Sequence, residues 1–400
     1  MVVRQLGTRT PDLANGARIP QGGIVARSIT PAELYEGIAT GSIPFILDVR
    51  NQDDFAQWQI EGTKPVPTKN VPIWVAMEEA EQVAQDIPDG TVVICAHGNG
   101  SGLFLDTLAE EGRAAINLEG GTAAWAELLV TRPIEGLPDG MVGWQILRPA
   151  KACLSYVLGV PGQGCIVVDP ARFPDTYLRL ADEHAMPIRH VIDTHIHADH
   201  ISGGPALAES LGVPYHVPVE DAGSGSPFAT QPLEDGELID LGGASLEILA
   251  IKMPGHTPGS TCVSLPGHVI LTGDTVFVRG LGRPDLTGKA DYLARELFHT
   301  IHQRLAPLDR RTVVMPAHWT LMEEIGDDGM VKTTLRDVFA SALVSEADMA
   351  SFIEEVVTSL PSAPDFYDTI RLINSGRPAT AEEIEILEIG KNQCAATTSL

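Results

Sequence analysis

The run Thr194-His195-Ile196-His197-Ala198-Asp199-His200 sets the strongest limit on what this chain can fold into, because it places four metal-ligand side chains within six residues. His195 and His197 are two apart, so in extended backbone both imidazoles point to one side. Asp199 and His200 follow where the chain turns toward a helix. Three further candidates lie downstream: His256 in Pro254-Gly255-His256-Thr257-Pro258-Gly259, Asp274 in Thr272-Gly273-Asp274, and His318 in Pro316-Ala317-His318. Each group comes directly after an apolar stretch of strand character, at 189–193, 245–252, 268–272 and 312–316. Residues just past strand ends gather on one edge of a sheet, so these seven side chains are expected to converge on one pocket. Imidazole and carboxylate donors suit Zn, Fe or Mn, and no cysteine is expected in the set. His184, His190, His216, His268, His299 and His302 lack this placement and read as surface or satisfied core residues.

Four hundred residues exceed one ordinary domain. Residues 1–24 read as a loose, flexible arm. From 25 to 132, strands at 45–49 and 92–95 alternate with helices at 73–86 and 101–112. Thr30, Pro31 and Glu33 open an earlier helix as N-cap, first-turn proline and capping-box acid. This alternation predicts an α/β domain with a parallel sheet and helices on its faces. Pro133-Ile134-Glu135-Gly136-Leu137-Pro138-Asp139-Gly140 reads as a linker over 133–140. From 141 to 400 many strands and few long helices, at 174–185, 203–211, 290–305 and 346–359, predict two sheets packed face to face with helices outside and a helical C-terminal extension.

Lys and Arg number 27 against 53 Asp and Glu, a net charge of −26. A surface of that sign repels nucleic-acid phosphates and anionic lipid, so neither partner is expected. No apolar run approaches the ~18 residues that span a bilayer, and the first residues lack a signal-peptide core. The five cysteines are scattered and odd in number, which argues against a disulfide framework and for a reducing cytoplasm. Cys153, Cys165 and Cys262 lie in apolar strands and read as core; Cys394 lies near the tail. Cys95 differs. It ends a strand and opens the turn Cys95-Ala96-His97-Gly98-Asn99-Gly100-Ser101, which runs into a helix. Successive N–H groups can point at its sulfur there, and the helix N-terminus adds partial positive charge. Such a cysteine can accept a sulfane sulfur and pass it on.

These motifs carry two resemblances. The H-x-H-x-D-H run, the Gly-His-Thr-x-Gly run, the Gly-Asp pair and the last His resemble the metallo-beta-lactamase superfamily over about 140–390, which implies an αββα sandwich. Within it the chain is similar to persulfide dioxygenases and to glyoxalase II. The stretch Phe277-Val278-Arg279-Gly280-Leu281-Gly282-Arg283-Pro284-Asp285-Leu286 leans to the dioxygenases. That resemblance implies Fe(II) on His195, His256 and Asp274, a facial set with open positions for substrate and O2. His197, Asp199, His200 and His318 would form a second pocket or hydrogen-bond the first ligands, and Asp199 and Arg283 join Cys95 as candidate catalytic residues. The glyoxalase II alternative implies zinc, one or two ions, and hydrolysis of a glutathione thioester by a bridging hydroxide. Trp319 and Thr320 after the last His depart from both patterns.

Residues 25–132 resemble a rhodanese domain through Asp48-Val49-Arg50, the Cys95 loop, and Asn117-Leu118-Glu119-Gly120-Gly121 with Trp125. Gly100 stands where that loop usually carries Arg. The stretch 351–396 resembles metallo-beta-lactamase proteins fused to rhodanese domains. Together the resemblances imply a cytoplasmic sulfur-oxidising enzyme acting on a small-molecule, glutathione-like persulfide with O2, with a homodimer as candidate assembly.

Overall fold

Thr30 begins the fold as its sequence requires. Its hydroxyl accepts the Glu33 N–H and the Glu33 carboxylate accepts the Thr30 N–H, closing a capping box on the helix Pro31–Thr40. The computed structural model describes residues 27–222, 227–228, 230–242, 247–345, 347–358, 360, 363–364, 366–392 and 394. The arm expected at 1–24 lies outside the described residues.

Strands β1 (Arg27–Ile29), β2 (Ile46–Asp48), β3 (Thr68–Asn70), β4 (Thr91–Ile94) and β5 (Ala115–Leu118) form a parallel sheet in the order β1-β5-β4-β2-β3. Alternate side chains serve opposite faces. Ile46, Val92 and Ile94 meet Leu34, Tyr35 and Ile38, whereas Leu47 and Val93 meet Ala76, Val83, Phe104 and Leu108. Helices therefore cover both faces, as the strand–helix alternation demands.

The second sheet begins earlier than the sequence suggests. Strand β6 (Val130–Pro133) pairs antiparallel with β7 (Val142–Arg148), so the Pro- and Gly-rich segment at 133–140 connects two neighbouring strands of one sheet. Its turn residues are equally suited to a linker and to a strand connection. Strands β8 (Cys153–Val160), β9 (Gly164–Val168), β10 (Ile188–Ile192) and β11 (Tyr215–His216) complete the order β11-β10-β9-β8-β7-β6. The third sheet runs β12 (Leu249–Lys252), β13 (Thr261–Leu265), β14 (Val269–Gly273), β15 (Val313–Pro316) and β16 (Thr333–Thr334).

Inner faces of these two sheets bury Leu154, Tyr156, Leu158, Ile166 and Val168 against Val263, Leu265, Val269, Leu271 and Met315. Their outer faces are sealed by helices. Tyr177, Leu180 and Leu207 cover Val157, Cys165 and Val167, while Leu297, Ile301, Phe352 and Val356 cover Cys262, Ile270 and Val314. The layers are thus αββα, and β12, β10, β14 and β15 each end just before a ligand-type residue. No helix among the described residues is long and apolar enough to cross a membrane.

The C-terminal extension folds back as the helices Met349–Thr358, Tyr367–Asn374 and Ala381–Leu387. Glu388 then locks the two domains together. Its carboxylate accepts two bonds from Arg148 at 3.0 Å and one from Arg172 at 2.7 Å, and it also accepts the Ile201 N–H. Arg148 donates in addition to the carbonyl of Ala126 in the first domain. Burial opposes the charge on Glu388, but the two guanidinium groups win and hold its carboxyl down at about 2. Glu388→Gln leaves Arg148 buried without its counter-ion and is expected to cost about 3–5 kcal/mol, read from the urea midpoint. With the folded value depressed below the ordinary 4.5, the stabilisation is complete above pH 4.5 and fades as the pH falls toward about 2. The variant's stability should accordingly be flatter over that window.

Candidate metal centre

Strand β10 delivers the first ligands, and a neighbouring strand end fixes their orientation. Asp169, just past β9, adopts a left-handed φ of 51°. Its carboxylate accepts the Thr194 N–H at 2.7 Å and the Thr194 hydroxyl at 3.0 Å. With its proton spent on Asp169, the Thr194 oxygen accepts from His195 Nδ1 at 3.0 Å. His195 Nε2 is left with a free lone pair, as a metal ligand requires. His256 is set the same way: its Nδ1–H donates to the Arg283 carbonyl at 2.9 Å. Asp274 follows Gly273, whose φ is 52°; a Cβ there would lie 2.5 Å from the Thr194 hydroxyl. Gly282 is equally obligatory, since its Cβ would fall 1.8 Å from the Asp274 carbonyl.

One donor atom each from His195, His256 and Asp274 lies within 4.8 Å of the others, all buried. His195 Nε2 stands 3.6 Å and His256 Nε2 3.4 Å from Asp274 Oδ2. None of these three atoms has a hydrogen-bond partner. Three buried, converging, unpartnered donors are costly unless a cation joins them, so the residues fit a metal ion. Burial pushes both imidazoles below their usual range, well below for His195, which keeps them neutral.

His197, Asp199 and His200 form a second group of donors within 4.8 Å. His318 lies between the two groups. Its Nδ1 faces Asp274 Oδ1 at 2.5 Å and its Nε2 faces Asp199 Oδ2 at 2.8 Å. Burial opposes its charge, but the two carboxylates prevail and raise it to about 10. His318 is therefore an imidazolium that bridges Asp199 and Asp274, with both nitrogens spoken for. His197 Nε2 faces Asp169 at 3.2 Å, while His197 Nδ1 and His200 Nε2 have no partner.

All seven expected ligand residues thus share one buried neighbourhood. Arg283 is fully buried beside them, where its guanidinium pairs with Asp285 and its carbonyl orients His256. Cys95 is elsewhere, in the first domain. Sequence reasoning overlooked Asp169 and also Asn374, whose amide donates to the carbonyls of His197 and His200 and thereby clamps the ligand loop. It also misjudged Cys394. That residue is fully buried, and its Sγ lies within 4.8 Å of donor atoms of Asp199 and His318, so a cysteine does join the set. The tail is drawn in by polar contacts that hydropathy does not register: Asn392 donates to the carbonyls of Lys151 and Ala152, and the Cys394 carbonyl accepts the Arg283 N–H.

The Cys95 sulfur receives the N–H groups of Gly98 at 3.1 Å and Ser101 at 3.4 Å and the Ser101 hydroxyl at 3.1 Å. Burial would push this thiol up, but those donors outweigh it and its pKa falls below the ordinary 9.0. The loop thus stabilises a thiolate with Gly100 in the usual Arg position.

Comparison with known proteins agrees with this layout. A metallo-beta-lactamase superfamily model matches residues 148–318 and a rhodanese-like domain model matches 30–128. The human mitochondrial persulfide dioxygenase ETHE1 is 32% identical over 177 residues, which are 44% of this chain and 66% of that protein. The hydroxyacylglutathione hydrolase of Anaeromyxobacter dehalogenans is 34% identical over 174 residues, 43% of this chain and 63% of that protein. The crystal structure of ETHE1 from Myxococcus xanthus superposes with a TM-score of 0.50 at 25% identity, covering 58% of this chain and 96% of that one.

Thr194→Val removes the hydroxyl that orients His195 and should weaken metal binding about 10–100-fold, measured by competition with a chelator. Alkylation of Cys95 by iodoacetamide should show a midpoint below pH 9.0, and Ser101→Ala should move that midpoint upward.

Proposed function

This chain belongs to the metallo-beta-lactamase superfamily and carries a rhodanese-like domain before that fold, and on this premise we propose that it oxidises a low-molecular-weight, glutathione-like persulfide with O2 to sulfite and the free thiol. The observation that carries the reading is the trio of unpartnered atoms on His195, His256 and Asp274, beside a His318 whose two nitrogens already serve Asp199 and Asp274. Two imidazoles and one carboxylate are the facial set of non-haem Fe(II) enzymes. Iron held there would supply the redox chemistry between O2 and the outer sulfur. That sulfur loses four electrons to O2, and sulfite takes its three oxygens from O2 and one water.

The chain's own residues do the positioning. Asp169 acting through Thr194, and the Arg283 carbonyl, hold the two imidazoles in the tautomer that faces the metal. His318 ties Asp274 to Asp199, so the ligating carboxylate cannot swing away. The tight burial of every donor keeps bulk water from the reacting sulfur. Cys95, with its lowered pKa, would exchange sulfane sulfur with the same small thiol, and the fusion raises the local concentration of one site's product at the other. Five unpaired cysteines suit a cytoplasmic location.

A second reading, a dinuclear zinc thioester hydrolase, draws support from the unpartnered His197 Nδ1 and His200 Nε2 beside Asp199. Anaerobic purification with iron and zinc counted per chain separates the two. We expect about one iron per chain and O2 uptake with glutathione persulfide. His256→Ala should abolish both, while His197→Asn should retain the iron. Two zinc ions per chain with hydrolysis of lactoylglutathione and no O2 uptake would overturn the proposal.

A further inference from the structure

A cavity of about 330 Å³ opens where the two domains and the C-terminal extension meet, and none of the seven metal-ligand residues lines it. Ala96 and His97, the two residues after Cys95, form one wall. Thr122, whose N–H donates to the Cys95 carbonyl at 3.0 Å, stands beside them. Arg148 and Arg172 of the β-sandwich, with Glu385, Ile386 and Ile389 of the extension, close the other side. A volume of this size encloses a small organic ligand.

The loop from Cys95 to Ser101 contains no Lys or Arg, so a cation that serves a ligand there must come from elsewhere. Two guanidinium groups line the cavity with donors to spare. Among the described residues Arg172 gives only its Nε, to Glu388 at 2.7 Å, and its side chain is 29% exposed. Arg50 spends Nε and Nη2 on Asp48 and the Trp58 carbonyl, which leaves Nη1. Both groups are held in place, Arg172 over the Phe173 ring at 4.4 Å and Arg50 over the Trp58 ring at 5.7 Å. Fixed forks of this kind match carboxylates. Exposed acids share the lining, namely Asp54, Glu127 and Glu385, and Ile386, 62% exposed, adds apolar surface. Both signs of charge around an apolar patch suit a zwitterionic peptide thiol, with carboxylates for the arginines and an ammonium group for the acids. A small sulfur oxyanion would leave most of the volume empty and would face those acids.

We propose that this cavity is the thiol-carrier site of the rhodanese-like domain. It holds a low-molecular-weight, glutathione-like thiol with its carboxylates on Arg172 and Arg50 and its sulfur end toward the Cys95 loop. The inference rests on the persulfide reading for the class of thiol, and it adds where that molecule sits and which residues select it. The second domain thereby supplies a cation to the first domain's site, so neither domain builds the site alone. Glu388 fixes Arg172 through Nε without engaging its terminal nitrogens. One buried acid therefore both locks the domains together and aims the group that binds the carrier.

The test uses the full-length holoenzyme and S-methylglutathione, which carries the same charged groups without a reactive thiol. Cys95 is alkylated with iodoacetamide at rising S-methylglutathione, and the product is read by mass spectrometry on the peptide that contains it. We expect saturable protection. Its half-protecting concentration should rise about tenfold in Arg172→Met, the loss that goes with one charge-assisted hydrogen bond. It should also rise in Ile386→Trp, whose larger side chain occupies the cavity. Ile386→Trp leaves Glu388 and both its arginines in place, so it decides the matter if Arg172→Met melts early. No protection, or protection unchanged in Ile386→Trp, overturns the inference. An unchanged concentration in Arg172→Met with wild-type melting removes Arg172 from the site. Thiosulfate that protects as well as S-methylglutathione at equal ionic strength overturns the assignment to a peptide thiol. The metal centre is read separately, by O2 uptake with glutathione persulfide. Protection without O2 uptake keeps this site and overturns the dioxygenase, whereas O2 uptake without protection does the opposite.

Discussion

The cost of burying charge governs this molecule. Asp169, Asp193, Asp199 and Asp274 lie together beneath the surface with His195, His197, His200, His256 and His318. A carboxylate taken out of water is tolerable only with a partner. The chain supplies partners for some: His318 serves two carboxylates at once, and the backbone and hydroxyl of Thr194 serve Asp169. For the remaining atoms on His195, His256 and Asp274 it supplies none. The β-sandwich exists at this edge to hold a deficit of positive charge in fixed geometry, and a divalent cation is what that deficit accommodates.

Much of this was legible in the sequence, because strand ends and ligands are written next to each other. The apolar runs before His195, Asp274 and His318 became β10, β14 and β15 within a residue of their expected bounds. The helix expected at 290–305 is α-helical only to His299 and continues as a π-helical turn over Thr300–Leu305. In that stretch the Thr300 hydroxyl donates to the Pro254 carbonyl at 2.7 Å, two residues before His256. Periodicity cannot register such a change of winding, since the buried positions still fall on one face.

Residues that act on the site from a distance in sequence left no local mark. Asp169 gains its role only when the fold sets it beside Thr194, and Asn374 only when the end of its helix meets the carbonyls of His197 and His200. Glu388 is one acid among many in an acidic tail, and only two arginines more than two hundred residues upstream make it a clamp. Cys394 was misread for the same reason. The contacts that bury it run through backbone carbonyls, which every sequence possesses and no sequence pattern displays.

The two domains set their cysteines in opposite surroundings. In the first, two N–H groups and a hydroxyl aim at Cys95 and lower its pKa, so the thiolate is stabilised by dipoles that cost nothing to reorganise. In the second, carboxylates surround Cys394 and burial raises it well above its ordinary range, so the resting thiol keeps its proton. One thiol is therefore eased toward ionisation and the other is held protonated. A thiol that stayed ionised beside Asp199 and Asp274 would add to the very crowding of negative charge that the pocket must balance.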